Sequence, residues 1–91
     1  MANYQLPITP LILSESHYKI FGLYIKLEFE PTLTPHSLYR EEVNVEALLD
    51  LVNRGDLDMI MLEQDRHLSI HYYLTEKGEL TKNLLINEGK I

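Results

Sequence analysis

The chain has no cysteine and no tryptophan, and only four glycines and four prolines in 91 residues. Without thiols there is no disulfide and no thiolate zinc centre, and an intracellular setting fits. No apolar run approaches the roughly 18 residues that a membrane-spanning helix needs. The opening stretch, "MANYQLPITP", lacks the basic start and apolar run of a signal peptide, so a cytoplasmic location is expected. Positive charge is scarce as well. Eight bases stand against fourteen acids, a net charge of −6 that disfavours attraction to nucleic acid or anionic lipid. The bases Lys19, Lys26, Arg40, Arg54, Arg66, Lys77, Lys82 and Lys90 are scattered singly, and Arg40, Arg66 and Lys77 each stand beside an acid.

Apolar residues make up 45% of the chain, enough for one globular domain spanning residues 1–91. Pro7 and Pro10 rule out helix over residues 1–13, which read as an extended arm or edge strand. In residues 19–30, Phe21, Leu23, Ile25, Leu27 and Phe29 alternate with Lys26, Glu28 and Glu30. Period two predicts a half-buried strand, with the aromatic and aliphatic set inward. The rival is a helix capped by Ser14 with Ile20, Leu23, Tyr24 and Leu27 inward. Thr34 before Pro35 predicts a short helix over 35–42. Asn44 caps a clearer one, "VEALLDLVNRG", with Val45, Leu48, Leu49 and Val52 as its apolar stripe and Gly55 as its stop.

A β-hairpin is predicted over residues 57–75. "LDMIML" reads as a buried strand and "EQDR" as the turn. "HLSIHYYLT" returns with Leu68, Ile70, Tyr72 and Leu74 inward and His67, Ser69, His71 and Tyr73 on the other face. Thr75 then caps a last helix reaching about residue 87, its inner face built from Leu80, Leu84 and Leu85. The fold class is therefore α+β: a small single domain with antiparallel strands, a hairpin and two to three helices.

The step Asn53-Arg54-Gly55, the turn Glu63-Gln64-Asp65-Arg66 and the joint Leu74-Thr75-Glu76-Lys77-Gly78 follow one another at spacings that matter together. Over residues 44–87 this order resembles the end of winged-helix domains in bacterial regulators of the MarR and PadR type. There a recognition helix ends at a glycine, a two-stranded wing follows, and an "LTekG" motif opens the next helix. The resemblance implies a winged-helix-like C-terminal half and a DNA contact through Arg40, Asn53, Arg54 and Arg66. The chain departs from the family where that contact should lie. Its reading helix turns Glu46, Asp50 and Asn53 outward, and Arg66 at the wing tip is flanked by Glu63 and Asp65. The alternating segment at 19–30 also stands where the first helix belongs.

No catalytic constellation is legible. His67 and His71 would share a strand face about 13 Å apart, too far for one metal ion. His17 and His36 read as loop residues. Asp56, Asp58 and Glu63 read as solvated acids, with no lysine placed for metal-dependent chemistry. Serines 14, 16, 37 and 69 stand in no glycine-rich elbow. No cofactor is expected. Tyr24, His71 and Tyr73 read as an interface on outward strand faces. Leu84, Leu85, Ile86 and Ile91 cannot all point one way on the last helix, so an apolar strip through Leu85 and Ile86 predicts a partner there, most simply a second copy in a homodimer. The expected function is that of a non-enzymatic, acidic regulatory or inhibitor protein acting by protein–protein binding. The alternative is a dimeric winged-helix transcription regulator that binds duplex DNA.

Overall fold

The computed structural model describes residues 13–26 and 32–91. The order is α1 (Glu15–Lys26), β1 (Thr32–Leu33), α2 (Pro35–Arg40), α3 (Val45–Arg54), β2 (Leu57–Gln64), β3 (His67–Leu74) and α4 (Glu76–Asn87). The strands form one antiparallel sheet in the order β1-β3-β2. The protein is thus a small α+β domain, with four helices among the described residues rather than two or three. The expected arm at 1–13 falls almost wholly outside the described residues.

Three of the helix starts follow the local chemistry of their caps. The side chains of Thr34, Asn44 and Thr75 each accept a hydrogen bond from the backbone N–H three residues on, at 3.0 Å. Gly55 closes α3 in the left-handed region at φ 85°, where a side chain would be strained. The hairpin turn also comes out as expected. Asp65 and Arg66 both take positive φ, 52° and 68°, the type I′ geometry whose twist matches the flanking strands.

Over the described part of residues 19–30, up to Lys26, the expected strand is a helix instead. Residues 15–26 are helical, and Ile20, Phe21, Leu23 and Tyr24 form a buried stripe at helical spacing. The apolar residues at 20 and 24 complete that stripe; the period-two pattern left them on the polar face. Ile25, expected inside, is exposed, and Lys26 is exposed and reaches Glu41 at 3.0 Å. Leu27, Glu28, Phe29 and Glu30 lie outside the described residues.

Two helices are rotated from their expected settings. On α3 the buried face is Ala47, Leu48 and Leu51, while Val45 and Leu49 are exposed. On α4 it is Gly78, Thr81 and Leu85, while Leu80 and Leu84 are exposed. Leu85, only 4% exposed, belongs to the core with Phe21, Leu33, Leu48 and Leu57. The setting of α4 comes from its first turn. Gly78 sits so close over the Asp56 carbonyl that this side of the helix must face inward.

The hairpin is not buried either. Leu57 lies in the core, and Tyr72 and Leu74 pack against it. From Asp58 to Leu68 every residue is exposed. Eight residues of strand span about 26 Å, longer than the core is wide, so the outer half projects as a two-stranded wing. Leu68 and Ile70, expected inside, are on the predicted face but out in solvent.

Candidate functional site

The base of the wing is built around Asp56. Its carboxylate is 0% exposed. Oδ1 accepts from the Thr81 hydroxyl at 2.8 Å and from Lys77 Nζ at 3.3 Å, while Oδ2 has no partner. Lys77 also donates to the Arg54 carbonyl at the end of α3, at 2.8 Å. The Thr75 N–H donates to the Asp56 carbonyl, and the Thr75 hydroxyl donates to the Gly55 carbonyl. The "LTEKG" stretch is therefore a clamp that ties the end of α3 to the start of α4. Asp56, expected as a solvated acid, is a buried structural one.

What the clamp holds out is apolar. Residues opposite each other in the hairpin share a face, so Met59 and Tyr72, Met61 and Ile70, and Glu63 and Leu68 line one side. On that side Met61 is 61% and Leu68 67% exposed. Ile60 and Leu62 are exposed on the other side. The outward face of α3 adds Val45 and Leu49, together with the exposed Glu46 and Asn53. The exposed apolar residues among the described ones thus include several on the wing and on the neighbouring α3.

The residues expected at an interface fare unevenly. Tyr24 is buried, donates to the Tyr72 carbonyl at 2.7 Å, and burial pushes its hydroxyl well above the ordinary tyrosine range. It ties α1 to β3 and is no surface anchor. Leu85 is core. Ile86 is exposed, as expected. His71 is half-buried on the sheet, bonded to Ser69 at 2.9 Å and Thr32 at 3.2 Å. Tyr73 donates to Asp58 at 3.2 Å, and that neighbouring charge raises its pKa. Both lie on the wing face opposite Met61.

The candidate DNA-contact residues differ in what holds them. Arg40 pairs with Glu41 at 3.2 Å, and Arg54 pairs with Asp50 at 2.7 Å. Asn53 is exposed on α3, and Arg66 is exposed in the wing turn. Two of the three arginines are thus neutralised by acids of their own chain.

One cluster was not legible in the sequence. His17, expected in a loop, lies in the first turn of α1, and His36 lies in α2. His17 Nδ1 accepts from the Ser14 N–H at 3.0 Å and is 2.8 Å from the Ser14 hydroxyl. With that nitrogen engaged, Nε2 carries the proton and donates to Asp50 at 2.9 Å. Serine, histidine and carboxylate lie in a row, in an open groove between α1 and α3. The order is that of a helix cap: the imidazole lone pair that would serve as a base is already held by a backbone N–H. A Ser-x-x-His spacing was the signal, but it means nothing until the segment is known to be helical.

His17, with Arg54, holds the Asp50 carboxyl below the usual carboxylate range. A depressed pKa contributes stability above the unfolded value of about 4, lost as pH falls through the folded value. Asp50→Asn is therefore expected to lower the unfolding midpoint slightly at neutral pH, and the gap should close as pH falls through the lowered pKa of Asp50. A gap that stays constant down to pH 2 in thermal scans would refute the tie.

Among the described residues no group of three or more histidine, aspartate or glutamate side chains could hold a metal ion. No helix there is long and apolar enough to cross a membrane. No protein-family model, no curated protein and no solved structure matches the chain.

Proposed function

We propose that this chain is a small, acidic, non-enzymatic regulatory or inhibitor protein of the cytoplasm that acts by binding another protein. The observation that carries the reading is the apolar surface of the wing and of α3, framed by acids instead of bases. Met59, Met61, Leu68 and Ile70 offer the desolvated centre that protein interfaces need, and methionine adapts its shape to a partner. A tagged wild-type chain is expected to capture a partner that Met61→Glu or Leu49→Glu fails to hold. Capture undiminished by both substitutions would overturn the reading.

The second reading, a dimeric winged-helix regulator on duplex DNA, has one feature in its favour. Helix, short strand, two helices and a hairpin, with the sheet ordered β1-β3-β2, resembles a winged-helix arrangement, and α1 stands where the sequence pattern had put a strand instead of a first helix. Shape alone does not bring DNA binding. The exposed side of α3 presents Val45, Glu46, Leu49 and Asn53, which leaves little to hold phosphates and an acid to repel them. No duplex binding is expected at physiological salt in fluorescence anisotropy. Binding that falls steeply with added salt and weakens in Arg66→Ala would reverse the order of the two readings.

A further inference from the structure

Among the described residues the outer edge of the sheet carries no further strand. β2 is bonded to β3 on one side, and among the described residues no strand pairs with its other side. Natural edge strands are kept from pairing by lysine, proline, a bulge or short length. β2, "LDMIMLEQ", has no lysine and no proline, runs eight residues, and keeps an unbroken register with β3 from Leu57↔Leu74 to Gln64↔His67. Both its faces are apolar beyond the core, with Met59 and Met61 on one and Ile60 and Leu62 on the other.

The hairpin geometry says which backbone groups are free. A two-residue turn makes Gln64 and His67 a hydrogen-bonded pair. Leu62, Ile60 and Asp58 then bond β3 in turn, and Met59, Met61 and Glu63 direct their N–H and C=O outward. The outward-turned Met59 N–H donates to the Asp58 carboxylate of its own chain at 2.8 Å, a bond that an incoming strand must displace. The free edge of β3 is a poorer template. Tyr72 and Tyr73 are already taken by β1, and the rest carries His67, Ser69 and His71.

We propose that β2 pairs antiparallel with β2 of a second copy about a two-fold axis at Met61, joining the two sheets into one. A two-fold axis normal to the sheet keeps each face continuous, which requires residues of the same parity to meet. Centring on Met61 makes the Met61 pair exchange both backbone bonds. Ile60 of one copy then faces Leu62 of the other, Met59 faces Glu63, and Asp58 faces Gln64. No two acids stand opposite, which matters in a chain of net charge −6. Centring on Ile60 instead would bring Glu63 against Leu57, which is buried at the base of the wing, and drive the two bodies together. The two-fold pairing also lays the exposed Met59, Met61 and Ile70 of both copies side by side on one face.

This deepens the protein-binding reading by naming the partner, and the test separates the two. Sedimentation of the whole chain at tens of micromolar should show a dimer. Met61→Lys and Met61→Pro should each weaken it at least tenfold with unchanged far-UV circular dichroism, since the hairpin register turns the Met61 N–H away from β3. Because the chain has no cysteine, Met61→Cys supplies a unique thiol that a short bis-maleimide should cross-link between copies, whereas Leu80→Cys should not. A wild-type monomer, or a dimer indifferent to both Met61 substitutions, overturns the edge pairing. A monomer that still captures another protein through the wing overturns the edge pairing alone; a monomer that captures nothing overturns the protein-binding reading as well.

Discussion

Gly78→Ala is expected to cost about 3 kcal/mol or more, and the reason is a single close approach. A Cβ at Gly78 would lie 2.0 Å from the Asp56 carbonyl oxygen and 2.9 Å from its carbon, both backbone atoms that cannot rotate away. The first turn of α4 would have to lift off the end of α3. That breaks the bonds from Thr75 and Thr81 to Asp56 that hold the wing base together. A domain this size has roughly 5–14 kcal/mol of stability in all, so the melting temperature should fall by 10 °C or more. Gly22→Ala is the built-in control. Gly22 is also helical, a Cβ there meets nothing within 4 Å, and removing glycine from a helix interior should stabilise by about 0.5–1 kcal/mol. The same substitution should thus move the melting temperature in opposite directions at the two sites. A Gly78→Ala protein that melts within two degrees of wild type would mean the clamp does not exist.

The second large effect belongs to Lys77. Lys77→Met keeps the apolar stem and removes the ammonium, which leaves the buried Asp56 carboxylate with only the Thr81 hydroxyl and deprives the Arg54 carbonyl of its donor. Stranding a buried charge typically costs 3–5 kcal/mol, but the lysine head is half exposed and water can partly replace it, so about 2 kcal/mol is expected. Asp56→Asn removes the charge that needs the lysine. Adding it to Lys77→Met should therefore cost less than the two single substitutions summed, with a coupling of about 1 kcal/mol. Urea titrations of the four proteins decide this. Strict additivity would show that the two groups are neighbours without being partners.

Local chemistry was legible where it depends on residues close in the chain. Thr34, Asn44 and Thr75 cap helices because their oxygens reach an N–H three residues on, whatever surrounds them. Gly55 ends α3, and the turn at Asp65-Arg66 reverses the hairpin, for the same reason. The α+β class follows from that list of elements. The Leu74–Gly78 joint was legible as a strand running into a capped helix. That Asp56 lies beneath it was not, because the bonds join residues about twenty positions apart.

Tertiary structure decided the remainder. Phe21, Leu23 and Ile25 satisfy period two and nearly satisfy a helix, and what settles α1 is that Ile20 and Tyr24 find a core when it is helical, with the Tyr24 hydroxyl meeting the Tyr72 carbonyl. The rotation of α3 and α4 was set by packing: helices with apolar residues on more than one side have several possible inner faces, and only their neighbours select one. For the candidate surface this selection is decisive. Leu49 was a core residue by pattern and Leu85 was assigned both to the inner face and to an interface; in the fold Leu85 is buried and Leu49 is exposed. Met61 lay in a continuous apolar run and Leu68 and Ile70 in an alternating one, both signs of a buried sheet, but the core ends at Leu57 and Tyr72, and the strands that run past it carry their apolar residues out into solvent.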